Sequence, residues 1–259
     1  MDLHLQGKSA LVCGSSKGLG YACAMSLARE GVAVTLVART AQLLEKSAET
    51  IRQATGAKVT TVAADITTPE GREQAFSVAG MPDILVTNAG GPKPGDFRDW
   101  SKDDWMAALN ANMYTPIALI QHVIDSMISQ RYGRIVNITS AAVKMPIDIL
   151  GLSNGARSGL TGFVAGLARQ VVEHNVTINN LLPGPFETDR LKETAAKTAQ
   201  NTGKPIEEIM QARLKSIPAK RYGQPYELGD ACAFLCSAQA GFMTGQNLVL
   251  DGGIYPGML

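Results

Sequence analysis

Seven residues near the start of the chain, Gly14-Ser15-Ser16-Lys17-Gly18-Leu19-Gly20, have the types and spacing to hold an anion. Three glycines let the chain turn sharply and bring backbone N–H groups close to a pyrophosphate. The amphipathic stretch that begins at Gly18 adds the partial positive charge of a helix N-terminus. Glycines alone carry little information. The reading rests on their place between an apolar run ending Val12-Cys13 and that helix. The thiols suggest no comparable chemistry. Cys13, Cys23, Cys232 and Cys236 form no CxxC pair and have no histidine nearby in the chain, so no metal site is expected. Cys232 and Cys236 share a helix face and read as small core residues.

The elements that must position such a turn follow from periodicity. Residues 9–13, 33–38, 58–63, 83–87, 134–139, 176–182 and 247–250 are short β-branched runs, several apolar on both faces, and read as seven strands. Residues 18–30, 42–54, 69–79, 101–130, 151–174 and 225–237 have helical periodicity. Strand–helix alternation with short loops implies right-handed crossovers and an α/β fold, a doubly wound parallel sheet with helices on both faces. No linker or low-complexity tract divides the chain, which reads as one domain over residues 1–259. Residues 186–221 interrupt the rhythm with a Lys-, Thr-, Ala- and Gln-rich insertion, including a helix expected at 205–215. Its place beyond the sixth strand's carboxyl end suits a substrate lid or an ordinary surface excursion.

Composition narrows the function. Of 259 residues 45% are hydrophobic and 18% charged, which excludes intrinsic disorder. A net charge of +1, from 24 Lys and Arg against 23 Asp and Glu, excludes a general affinity for nucleic acid or anionic membrane. The first apolar run is too short for a signal peptide, and none reaches the ~18 residues of a membrane span. A cytoplasmic protein is expected.

Further landmarks recur in order. Thr87-Asn88-Ala89-Gly90 closes the fourth strand, Asn112 lies on the next helix and Ser140 ends the fifth strand. Pro183-Gly184-Pro185 follows the sixth strand, with Thr188 after it, and Asp251-Gly252-Gly253 follows the seventh. With the GxxxGxG spacing of the first turn, the whole chain resembles the short-chain dehydrogenase/reductases and their Rossmann-type domain, most closely the ketoacyl-carrier-protein-reductase branch. The resemblance implies hydride transfer between a nicotinamide and a carbonyl or acyl substrate. It implies a cofactor held by Gly14, Ser15, Ser16, Lys17, Gly18, Leu19 and Gly20, by Asp65 and Ile66, by Asn88, Ala89 and Gly90, and by Pro183, Gly184 and Thr188. Asp65 matches the position that contacts adenine, and serves equally as a helix N-cap ahead of Pro69. The family usually assembles through the helices expected at 101–130 and 151–174, so a homotetramer or homodimer is expected.

An acid after the second strand would bind the adenosine ribose and repel a 2′-phosphate. Here that strand ends Val37-Ala38-Arg39-Thr40. Arg39 and Lys17 supply two cations suited to phosphate, so NADP(H) is the expected cofactor.

The catalytic pattern of the family is broken. It uses a Ser to position the carbonyl, a Tyr to exchange the proton and a Lys one helical turn later, with an Asn completing a relay through water. Asn112 and Ser140 stand at their positions, but the Tyr has become Ser153 and the Lys Arg157. No Tyr occurs between Tyr132 and Tyr222, and no Lys between Lys144 and Lys192, so no shift of register restores the pair. Ser153 and Arg157 share one helix face at i, i+4. Arg157 is suited to hold the ribose hydroxyls, whereas an aliphatic hydroxyl such as Ser153 is a poor acid. Lys144, in the loop after Ser140, is a replacement candidate because an ammonium resembles a phenol in acidity, or else a solvated loop residue. Two readings follow: an NADP(H)-dependent oxidoreductase with an atypical proton donor, or a nucleotide-binding homologue without turnover that serves as sensor or partner subunit.

Overall fold

Period-two alternation in the first strand already sorts the molecule into two layers. Ala10 and Val12 enter one apolar cluster, Leu11 and Cys13 the other, because successive side chains point to opposite faces of a sheet. The computed structural model describes residues 2–258; Met1 and Leu259, the ends of the expected domain, lie outside the described residues. Strands β1 (Ser9–Cys13), β2 (Ala33–Ala38), β3 (Val59–Ala63), β4 (Ile84–Thr87), β5 (Gly133–Ile138), β6 (Val176–Pro183) and β7 (Asn247–Leu250) form one parallel sheet. Their order is β3-β2-β1-β4-β5-β6-β7. The order reverses between β1 and β4, which opens a crevice at their carboxyl ends.

Helices cover both faces, as the doubly wound reading requires. On one face lie α1 (Gly18–Arg29), α2 (Ala41–Thr55) and α9 (Pro225–Cys236), which bury Leu27, Leu44 and Leu228. On the other lie α3 (Pro69–Ala79), α5 (Thr115–Ser129) and α6 (Gly151–Val171), which bury Phe76, Ile120 and Val164. All four cysteines are buried free thiols, and desolvation pushes Cys13 up to about 12. No helix among the described residues is long and apolar enough to cross a membrane.

Two expectations need correction. The helix expected over 101–130 is α4 (Lys102–Leu109) and α5 joined through a π-helical turn at Asn110–Tyr114. Such turns insert a residue into the hydrogen-bond ladder and accompany functional sites, and this one carries Asn112. The insertion holds two helices rather than one: α7 (Asp189–Thr202), which ends at left-handed Gly203, and α8 (Ile206–Ser216). Helix α7 is polar in composition and buries only Leu191 and Ala195, so it resembles an exposed excursion in the sequence.

Candidate active site

The glycine turn is built around close approaches. Gly14 and Gly18 have φ of +59° and +63°, a region that other residues enter at a cost. A Cβ on Gly20 would collide with the Gly14 carbonyl. Asn88, at the end of β4, donates from Nδ2 to the same Gly14 oxygen at 3.3 Å and so joins the two strands of the crevice. The N-cap of α1, Lys17, makes no side-chain cap bond, which leaves the first amides of the helix open to an anion. Across the crevice the Thr188 methyl lies 3.8 Å from where a Gly18 Cβ would stand. An uncapped helix start, lined by glycine and closed by Thr188, fits a pyrophosphate.

Several expected cofactor residues serve that cradle indirectly. The fully buried Ser15 donates to the Val12 carbonyl and accepts from Val37 N–H, so its side chain ties β1 to β2 instead of facing a ligand. Ile66 is buried in the core, and Ala89 and Gly90 form the loop beyond Asn88. Ser16 accepts a bond from Ser47 at its carbonyl, and Leu19 packs against the core. Gly184 is required by crowding: a Cβ there would stand 2.6 Å from Asp251 Cβ, because Gly184 N–H donates to the Leu250 carbonyl. Pro183 is the last residue of β6.

At the adenosine end, Arg39 is exposed after β2 and Asp65 follows β3. Asp65 Oδ1 accepts from the amide and hydroxyl of Thr67, which hold its carboxyl below the usual range, with a smaller contribution from the Arg39 charge. Asp65 is not the cap of α3. Thr68 takes that place and accepts from Gly71 N–H at 3.0 Å. Lys17 already has an acidic partner. Lys17 Nζ pairs with Asp189 at 2.9 Å, on the first turn of α7, which raises its pKa and lowers that of Asp189. Sequence reasoning did not single out Asp189 or its neighbour Arg190, whose only signal is their place one step after Thr188.

The reacting end gathers on the carboxyl end of β5 and the face of α6. Ser140 caps a short 3-10 turn, accepting from Ala142 N–H at 3.1 Å and leaving its own hydroxyl hydrogen for a ligand. Asn112 is buried; its Nδ2 donates to the Gly90 and Ala108 carbonyls, and its Oδ1 has no partner among the described residues. Ser153 and Arg157 are buried side by side. Arg157 donates from Nε to Ser153 Oγ at 3.2 Å and from Nη1 to the Ile138 and Thr139 carbonyls at 2.9 and 2.8 Å. The fork expected at the ribose is therefore taken up inside the protein, and only Nη2 is left. Burial, then the charge of Arg190, pushes this guanidinium down to about 10, so it remains a cation at neutral pH. Lys144 closes the turn begun by Ser140, and its Nζ lies 5.5 Å from the centre of the Tyr255 ring. That contact draws it to the C-terminal segment, a residue pair that spacing could not reveal.

A seven-stranded doubly wound sheet with an anion cradle at its switch point defines a dinucleotide-binding protein of the Rossmann type. The chain belongs to the short-chain dehydrogenase/reductase family, and its residues 14–255 match the family model described as Enoyl-(Acyl carrier protein) reductase. It is 33% identical to the 3-oxoacyl-[acyl-carrier-protein] reductase FabG of Aquifex aeolicus, across 98% of this chain and 100% of the relative. It is 34% identical to the FabG of Vibrio cholerae, across 98% and 99%. The crystal structure of L-sorbose reductase from Gluconobacter frateurii, complexed with NADPH and L-sorbose, superposes with a TM-score of 0.93 at 29% identity and full coverage of both chains.

Proposed function

We propose that this protein is an NADP(H)-dependent reductase of a carbonyl substrate, with the alcohol as the reverse partner and a 3-oxoacyl compound as the first class to test. The observation that carries the proposal is the bonding of Arg157 to Ser153 Oγ and to the Ile138 and Thr139 carbonyls, which ties α6 to the end of β5 just before Ser140. The NADPH in the sorbose reductase complex and the name of the FabG relatives support it.

When bound, the reduced nicotinamide supplies the hydride. Gly14, Gly18, Gly20 and Thr188 seat the pyrophosphate, Asn88 holds the turn in shape, and Arg39 faces the 2′-phosphate. Ser140 and Ser153 each accept one internal bond and keep one hydroxyl hydrogen, and both donate it to the carbonyl oxygen. The Arg157 charge behind Ser153 Oγ stabilises the alkoxide as it forms, the role a preorganised donor plays in an oxyanion site. Arg157 does not give up a proton. Lys144 supplies it, and Asn112 Oδ1 accepts from a water on the route. Helices α7 and α8 act as the lid, with Lys17–Asp189 closing one side. Residues 1–259 act as one domain in a homodimer or homotetramer, paired through α4, α5 and the α6 face where Gly162 and Gly166 have no neighbour within 4 Å. Four buried free thiols suit the reducing cytoplasm.

The test is NADPH oxidation with a panel of ketones and 3-oxoacyl thioesters, run beside a fluorescence titration of NADPH. Turnover that falls by about 100-fold in Lys144→Met, with NADPH affinity retained, supports the reading. Tight binding without reduction of any substrate makes the protein a nucleotide sensor or partner subunit.

A further inference from the structure

Two helices of this chain begin against each other. Helix α1 starts after Lys17 and helix α7 after Thr188, and the Thr188 methyl lies 3.8 Å from where a Gly18 Cβ would stand. Neither start has a side-chain cap among the described residues. Lys17 makes no cap bond, and the Thr188 hydroxyl donates to the Phe186 carbonyl at 3.4 Å instead. The first amides of each helix lack intrahelical partners, and both ends carry partial positive charge, so this corner of the crevice favours an anion.

The anion that the chain itself brings there is Asp189. Its Oδ2 accepts from Lys17 Nζ at 2.9 Å, from a segment 172 residues away. The next residue ties the same turn of α7 to the opposite wall. Arg190 donates from Nη2 to the Pro92 carbonyl at 3.1 Å, in the loop beyond β4, and that nitrogen lies 3.4 Å from where a Gly91 Cβ would stand. The first turn of α7 therefore reaches from the turn after β1 to the loop after β4, the two strands at which the sheet order reverses. A dinucleotide seated on the glycine turn passes beneath it. The Lys17 and Asp189 side chains are 59% and 62% exposed, so their bond is weak enough to be exchanged for another.

We propose that Asp189 is a built-in competitor of the dinucleotide: its carboxylate occupies Lys17 and latches α7 across the crevice, and a phosphate of the entering cofactor takes Lys17 from it. This rests on the reading that the glycine turn seats a nucleotide. The pair that closes one side of the lid thereby also lowers the affinity for the cofactor.

The test is a double-mutant cycle read by fluorescence titration of NADPH into the wild type, Asp189→Asn, Lys17→Met and the protein with both substitutions. Both side chains are exposed, so the changes leave the core intact. Asp189→Asn should tighten NADPH binding by about fivefold, the upper end for an exposed ion pair. In the Lys17→Met background the same change should leave Kd within about 1.5-fold, because no cation remains to compete for. Unchanged or weaker binding in Asp189→Asn overturns the proposal, since the carboxylate would then be idle or would help to hold the cofactor. A tightening that is not reduced in the Lys17→Met background also overturns it, by assigning the effect to general charge repulsion. Either result leaves the nucleotide site standing. NADPH binding to neither the wild type nor Asp189→Asn overturns the nucleotide reading and the latch together, and binding to Asp189→Asn alone upholds both.

Discussion

The Arg157 guanidinium donates through Nε to Ser153 Oγ at 3.2 Å, and through Nη1 to the carbonyls of Ile138, the last residue of β5, and Thr139 just beyond it, so one side chain both orients a hydroxyl and anchors the helix that carries it. Ser153 and Arg157 are therefore bonded as a unit on α6. Ser153 has its lone pair occupied by a cation and its hydrogen free. An exposed serine would have neither constraint.

Ser140→Ala should lower kcat/KM by about 100-fold, the usual cost of one oriented donor at a developing oxyanion, and lower Tm less than Ser153→Ala, through the lost cap on Ala142 N–H. Ser153→Ala should behave differently. It removes the only described acceptor of the buried Nε, so it should cost about 1–2 kcal/mol of stability as well as activity. Steady-state kinetics and thermal denaturation of both variants check the contrast. Equal Tm values would mean that the pair is not coupled in solution.

Cofactor choice should turn on Arg39 more than on Lys17, because Lys17 is already paired with Asp189. Arg39→Asp should narrow the preference for NADPH over NADH by about tenfold or more, since it removes a fork and adds a repelling carboxylate. Lys17→Met should change it much less. Paired titrations with both dinucleotides measure the ratio.

Gly20→Ala should abolish nucleotide binding. Its methyl would collide with the Gly14 carbonyl, and Asn88 Nδ2 stands 2.9 Å from the same point, so backbone must move to admit it. NADPH binding retained in Gly20→Ala would contradict the cradle.

An acid-sensitive clasp closes the base of the insertion. Glu227 accepts from Arg221 at 2.6 Å and from Gln224 N–H at 2.7 Å, and these bonds, the Arg221 pair first, pull its carboxyl down to about 2. A depressed folded-state value contributes stability that is complete above the ordinary 4.5 and is lost as pH falls toward about 2. Glu227→Gln should therefore lower Tm by a few degrees at most at pH 7, given the exposure of the pair, and the gap to wild type should narrow from 4.5 downward and close only near pH ~2. A gap that stays undiminished at pH ~2 would assign the effect to the α9 cap alone.

How much of this was legible in the chain depended on the range of the interaction. The strands, the glycine turn and the order of Asn88, Asn112, Ser140 and Thr188 follow from local periodicity and spacing, and all seven strands stand within a residue of their expected bounds. That no Tyr lies between Tyr132 and Tyr222, and no Lys between Lys144 and Lys192, is equally read from the sequence. Three features were not local. The π turn at Asn112 depends on how α4 and α5 pack against α6, where Gly159 leaves room for Met113. Helix α7 is amphipathic but so polar in composition, burying only Leu191 and Ala195, that its segment reads as a surface excursion. Lys17, expected at a phosphate, meets Asp189 from a segment 172 residues away, and Arg157, expected at the ribose, meets the carbonyls of Ile138 and Thr139. Residue type announces that such side chains are cationic, but a cation takes whichever acceptor the packed chain brings within hydrogen-bonding distance, and that choice is made only when the sheet and its helices close around it.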